Sequence, residues 1–319
     1  MALKAAKKIE IVSLVDNNVD FLSKSVREEA KSFRDWTRRR YGEQWAEKQR
    51  DLPVAEHGFS VLVRVFGDDE NSSILFDTGV SSTGVVSNAE RMGIDLREIS
   101  YVVLSHGHYD HFGGLLAVVK AANRIGLPII VHEDMTKRRG TINSKGNFRE
   151  YSPFPDTKQL TLAELINTKK PYLIANDFAC VTGEIPRSVY FEKGSTQNRI
   201  YNDNTWQPDT LIDERALVLN LKNKGLVVIS GCAHAGIINT IFYAQKISGI
   251  TQVHAVIGGF HLASLPEIRT ELTIKRLKSI GPDFVAPSHC TGWRAVHTFA
   301  DALPGAFVWN SVGNLYELQ

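Results

Sequence analysis

Four side chains able to hold a metal ion fall within six residues in the stretch Leu104-Ser105-His106-Gly107-His108-Tyr109-Asp110-His111-Phe112-Gly113-Gly114-Leu115. The stretch follows Tyr101–Leu104, a short apolar run of strand composition. Residues two apart in extended chain point the same way, so His106 and His108 can share one ion. Asp110 and His111 begin the next helix and turn toward a second ion, and Gly113-Gly114 lets the backbone turn tightly there. A lone histidine is ordinarily a hydrogen-bonded core or surface residue, and His57, His132, His254 and His297 are read that way. Three imidazoles and a carboxylate buried together without a metal would instead leave polar groups unsatisfied. The cluster therefore predicts a metal centre.

The elements that position this cluster alternate along the chain. Ile9–Val15, Phe59–Phe66, Ile74–Phe76, Tyr101–Leu104, Pro128–Val131, Ala216–Leu221, Leu226–Ile229, Val253–Ile257 and Phe284–Ala286 have strand length and composition. Helical patterns lie between them at Leu115–Ile125, Ile237–Ile247 and Pro266–Ile280. Two hairpins interrupt the alternation, Phe59–Phe66 with Ile74–Phe76 and Ala216–Leu221 with Leu226–Ile229, which predicts mixed sheets in an α/β chain.

The 319 residues carry 37 Lys and Arg against 35 Asp and Glu, a formal charge of +2, so no overall field draws the chain to nucleic acid or an anionic membrane. A small-molecule substrate recognised by a local site is expected instead. Cys180, Cys232 and Cys290 are too few and too far apart for a disulfide framework, which favours a reducing cytoplasm. The N-terminal residues lack a secretory pattern, and no apolar stretch reaches the ~20 residues of a membrane span. A cytoplasmic protein follows.

No long Pro/Gly/Ser linker divides the chain, and one layered domain over residues 1–319 is expected. It carries an inserted helical segment at about 20–52 and an irregular excursion at about 136–176 that could border a site. In Lys24–Arg50 the run Arg38-Arg39-Arg40 stands beside Trp36, Tyr41 and Trp45, but Glu28, Glu29, Asp35, Glu43 and Glu47 interleave with the bases. That pattern suits a solvated helix packing its aromatics on the body, with a lid or a homodimer contact as the alternative use.

The stretch His106–His111 resembles the His-x-His-x-Asp-His signature of the metallo-β-lactamase superfamily, and Asp77 in Leu75-Phe76-Asp77-Thr78-Gly79 matches the upstream acid of that family. Ser230-Gly231-Cys232-Ala233-His234-Ala235-Gly236 and Pro287-Ser288-His289-Cys290-Thr291-Gly292 fit its later strand ends, so the resemblance spans about residues 8 to 310. It implies an αββα sandwich of two mixed β-sheets flanked by helices. Within the superfamily the chain is similar to the branch named for 7,8-dihydropterin-6-methyl-4-(β-D-ribofuranosyl)aminobenzene 5′-phosphate synthase. The matching stretches are Glu56-His57-Gly58, Thr182–Arg187, Gly231–Gly236, Gly258-Gly259-Phe260-His261-Leu262 and His289–Gly292.

The resemblance implies two divalent ions, zinc with manganese or iron as alternatives, the first on His106, His108 and His234 and the second on Asp110, His111 and His289. Where many members place a further His and an Asp, this chain offers Glu184 and Cys232, which leaves those two open as ligands. Asp77 is expected to orient a ligand and Asp110 to hold both metal and proton. His261 is open as a hydrogen-bond partner, substrate contact or ligand. Arg187 and Lys193 are candidates to hold an anionic group. The leading expectation is a binuclear metal-dependent hydrolase using a metal-bound hydroxide on a small phosphoester, phosphodiester, lactone or related ester. A transferase joining a pterin to an aminobenzene ribotide phosphate, an iron-dependent redox enzyme and a metal-stabilised binding module are the alternatives.

Overall fold

The computed structural model describes residues 1–23, 27–263 and 265–319. One sheet of eight strands runs, in spatial order, Ala163–Asn167, Leu127–Val131, Tyr101–Val103, Asn71–Phe76, Ser60–Phe66, Lys8–Val15, Leu315–Leu318 and Ala30–Lys31. A second sheet runs Tyr172–Ile174, Ala179–Val181, Ala216–Leu221, Gly225–Ser230, Val253–Gly259 and Phe284–Ser288, with Ala5–Ala6 alongside Ala216–Leu221. Both contain antiparallel hairpins and parallel pairs.

The period-2 alternation of the strands sets the layers. Ile9, Ile11, Val61, Val63 and Val65 point into a core shared with Leu217, Leu219, Val227 and Ile229 of the facing sheet. Val12, Leu14 and Leu62 point the other way, onto the helices Gly84–Arg91 and Leu115–Ala122. Behind the second sheet, Val256 and Val285 pack on the helices Ile237–Ser248, Glu267–Ile280 and Trp293–Ala302. The result is helix, sheet, sheet, helix, the αββα sandwich that the resemblance implied.

The parallel strands Asn71–Phe76, Tyr101–Val103, Gly225–Ser230, Val253–Gly259 and Phe284–Ser288 are each followed by residues of the expected centre: Asp77, His106–His111, Cys232 with His234, His261, and His289. The carboxyl ends of parallel strands are where open α/β sheets expose backbone and side chains to a ligand.

Three local features differ from the sequence reading. The region about 136–176 is built of short strands. Arg139–Ile142 pairs with Phe148–Glu150 and with Asn198–Asn202, and Thr205–Pro208 completes a separate four-stranded sheet, while Ala163–Asn167 extends the large sheet. These strands are short, and the pairing of Arg139–Ile142 with Asn198–Asn202 spans more than fifty residues, so no local periodicity announces it. In Lys24–Arg50, residues 24–26 lie outside the described residues, and the rest forms Phe33–Tyr41 and Glu43–Lys48, separated at Gly42 by a φ of 86°. Trp36 is fully buried there and donates its indole N–H to Gly313 O at 2.7 Å, while Tyr41 and Trp45 stack at 4.7 Å against the body. Finally, Gly113 and Gly114 have ordinary negative φ (−57° and −86°). What they supply is space, because a Cβ on Gly113 would lie 1.9 Å from Val80 O.

Candidate metal centre

Ring nitrogens of His106, His108 and His234 converge, with His106 Nε2 and His108 Nδ1 3.0 Å apart. On the other side, Asp110 Oδ2 lies 3.3 Å from His289 Nε2 and 3.8 Å from His111 Nε2. The two groups meet at Cys232. Its Sγ is 3.2 Å from His111 Nε2 and belongs to three clusters of facing donors, with His106 and His111, with His234 and His261, and with His289 and Cys290. The six residues expected to hold metal are thus brought to one place, together with Cys232 and His261.

Several of the donors are held by neighbours. Asp77 is fully buried at the end of its strand with φ 60°; its Oδ2 lies 2.6 Å from His111 Nδ1 and accepts from Ser105 Oγ at 2.7 Å. Its Oδ1 accepts the Ser105 N–H at 2.6 Å, so one carboxylate fixes both His111 and the start of the loop that carries His106 and His108. A Cβ on Gly231 would fall 2.1 Å from Ser105 Oγ, so the facing sheet can approach that loop only with glycine there.

Further supports come from residues that the sequence reading passed over. Asp213 Oδ2 accepts the N–H of Gly107, between the two histidines, at 2.8 Å, and its Oδ1 pairs with Arg139 Nη2 at 3.0 Å, both residues being buried. Glu214 accepts the backbone N–H groups of His234 and Ala235. Asp16 accepts the N–H of His289 at 2.8 Å, and Asn17 Oδ1 lies 2.9 Å from His289 Nδ1. Ala233, His261 and His289 take left-handed backbone, with φ of 54°, 45° and 47°. Such conformations cost non-glycine residues about 1–3 kcal/mol each and gather at functional sites.

The donor set fits a metal. His108 Nε2, both ring nitrogens of His234 and His261 Nδ1 are buried without a hydrogen-bond partner among the described residues, a costly arrangement unless a cation takes the lone pairs. Burial, together with neighbouring imidazoles, holds His106 and His234 well below the usual histidine range, and burial brings His108 to about 3, so all three are neutral and able to ligate. Burial raises the Asp110 carboxyl, but His111, His289 and His57 outweigh it and hold it well below its ordinary value. Burial also opposes charge on His111, yet Asp77 and Asp110 push it up to about 9.

Several expectations need correction. Glu184 does not join the centre; its carboxylate lies 3.1 Å from Nε2 of buried His132, which accounts for that histidine too. Arg187 donates to Thr210 O, and Lys193 is exposed; neither lines the cavity beside His234 and His261, which Arg269 does. His57, read as an ordinary histidine, places Nε2 3.2 Å from Asp110 Oδ2 and forms a donor cluster with Asp110 and His289. The long-range packing of residue 57 on His289, with ring centroids 5.0 Å apart, has no local signal. Cys290 joins Cys232 and His289 at the far side, and its place directly after His289 was the signal for it.

A family model of the metallo-β-lactamase superfamily matches residues 54–177. The 7,8-dihydropterin-6-methyl-4-(β-D-ribofuranosyl)-aminobenzene-5′-phosphate synthase of Methanocaldococcus jannaschii is 32% identical over 258 residues, covering 77% of this chain and 85% of that protein. The chain belongs to the metallo-β-lactamase superfamily. An uncharacterised protein of the same organism is 33% identical over 266 residues, 82% of this chain and 93% of its own length. A solved metal-dependent hydrolase of the β-lactamase superfamily superposes with a TM-score of 0.73 at 26% identity over 98% of each chain. Membership in this enzyme superfamily implies metal ions, and the strand-end cluster offers candidate His, Cys and Asp donors for them. Among its described residues no helix is long and apolar enough to cross a membrane.

Proposed function

We propose that the chain is a binuclear metal-dependent hydrolase of a small phosphoester, phosphodiester, lactone or related ester. The observation that carries the reading is the convergence of the buried imidazoles of His106, His108, His234, His111 and His289 with Asp110 and Cys232 at the strand ends. His106, His108 and His234 would hold one ion and Asp110, His111 and His289 the other, with the Cys232 thiol in reach of donors of both groups. When bound, divalent zinc or manganese would supply Lewis acidity and lower the pKa of an attacking water.

The chain's own residues do the rest. Asp110 Oδ2 accepts a proton from the attacking water and passes it to His57 Nε2 at 3.2 Å, whose side chain is 58% exposed and returns it to solvent. Asp77 keeps His111 oriented through the 2.6 Å contact to Nδ1. His261, its ring centroid 4.1 Å from that of His234, would donate a hydrogen bond to the departing oxygen. Purified protein loaded with zinc or manganese should hydrolyse 4-nitrophenyl phosphate, bis(4-nitrophenyl) phosphate or a simple lactone, and lose that activity on chelation. Inactivity of the loaded protein on all three would sink this reading.

The 32% identity to a protein named as a synthase favours a second reading, condensation of a pterin with an aminobenzene ribotide phosphate. The same centre would then stabilise a departing pyrophosphate while the aryl amine or ring carbon attacks in place of water. Incubation with both partners separates the readings: condensed pterin without ester hydrolysis replaces the first with the second.

A further inference from the structure

Two thiols meet at the centre, and the reactions proposed above call on neither to attack. Cys232 and Cys290 follow the outer two of three adjacent parallel strands, Gly225–Ser230, Val253–Gly259 and Phe284–Ser288. Each stands two residues past a serine paired with the middle strand, Ser230 with Gly258 and Ser288 with Gly259. The middle strand ends in those two glycines, and the cysteines close over its end. A Cβ on Gly259 would fall 2.7 Å from Cys290 Sγ and 3.2 Å from Cys232 Cα, so the approach needs glycine there. Left-handed backbone at Ala233 and His289, φ 54° and 47°, turns the chain beside each cysteine. Cys290 Sγ donates to Cys232 O at 3.5 Å, and the two sulfurs, clustered with His289, lie no more than 4.8 Å apart. Rotation about the Cα–Cβ bonds can close such a gap to the about 2.0 Å of a disulfide. Cys290 is half-buried, and His57, packed on His289, is 58% exposed, so a small oxidant has a way in. Cys180 lies elsewhere, buried with Leu3, Val218 and Val228 and in none of the donor clusters among the described residues.

We propose that Cys232 and Cys290 are a reversible redox switch, oxidised by a peroxide to a disulfide that spans the end of the middle strand over Gly259. Cys290, the more exposed, reacts first: its sulfur takes one oxygen of hydrogen peroxide, the O–O bond breaks, and the other oxygen leaves as water, which gives a sulfenic acid. Cys232 Sγ then attacks that sulfur, the S–O bond breaks, and a second water departs with the Cys232 proton. Two electrons pass from the sulfurs to the peroxide, and a dithiol reductant returns them. The disulfide draws Cys232 Sγ from its place 3.2 Å from His111 Nε2 and so loosens the donor cluster. The switch acts on the centre itself and is the same for either reading of its reaction.

The test treats zinc-loaded protein with a small excess of hydrogen peroxide, blocks the remaining thiols with N-ethylmaleimide and maps the peptides by mass spectrometry. Two of the three thiols should disappear, a peptide pair joined through Cys232 and Cys290 should appear with the loss of two hydrogens, and dithiothreitol should reverse both. Zinc affinity by chelator competition should fall at least about tenfold on oxidation and recover on reduction, the scale of a lost partner around a metal. C290S should give no joined peptides, and C180A should give the wild-type pair. Three intact thiols, a sulfinic acid at Cys290 without the joined peptides, joined peptides that include Cys180, or a cross-link that leaves zinc affinity unchanged would each overturn the switch. The wild-type map decides the cross-link even where a variant fails to fold.

Discussion

On the eight-stranded sheet a single loop, His106 to His111, delivers four donors, whereas on the facing sheet Cys232 with His234, His261, and His289 with Cys290 arrive from the ends of three strands. The first group is fixed close by, by the Asp77 carboxylate and Ser105, with a single long-range anchor in the buried Asp213 beneath Gly107. The second depends on sheet register, and three of its residues, Ala233, His261 and His289, reach the centre only through left-handed backbone. A loop of fixed donors needs local anchors; donors gathered from several strands need the whole sandwich. Loss of a local anchor should therefore disturb the metal while sparing the fold, and loss of a long-range anchor should disturb both.

The largest effect is expected from His108→Ala, which removes a donor from the local loop: turnover should fall at least about a thousandfold while circular dichroism stays that of wild type. Unfolding of this variant would show that the local loop also holds the sandwich. Arg139→Met tests the anchor between the small sheet and the loop. It leaves Asp213 buried without its cation, and denaturant melts should show a loss of about 3–5 kcal/mol. A stability close to wild type would mean that Asp213 is carried by the Gly107 N–H alone.

Asp77→Asn keeps the shape but weakens the hold on His111, so metal affinity, measured by competition with a chelator, should drop about 10–100-fold with little change in melting. The smallest effect lies away from the centre, at Glu10. Burial would raise its carboxyl, but Lys8 and Arg40, each at 2.8 Å, hold it below the ordinary value. A depressed folded pKa contributes stability above the unfolded value and loses it as pH falls through the folded one. Glu10→Gln should thus cost about 1 kcal/mol or less near neutrality, and the difference from wild type should vanish in acid. A difference that grows in acid would contradict that ion pairing.

The local loop was legible in the sequence because its chemistry lies within six residues, and the strands were legible because their alternation or apolar runs are continuous. His234 and His289 were legible through short motifs after strands. Asp213, Glu214 and Asp16 were not, since each is an ordinary acid until the fold brings a backbone N–H onto it. His57 and Arg269 owe their places to packing between distant segments. Glu184 shows the converse, a residue in a promising turn whose carboxylate the fold gives to His132.

The central claim is that both groups of donors hold metal together. Elemental analysis of protein purified without added metal, beside H108A prepared the same way, tests it most directly. The account predicts about two divalent ions per wild-type chain, with at least one missing from the variant. A wild-type chain that holds none even after reconstitution, or a variant that keeps both, would contradict it.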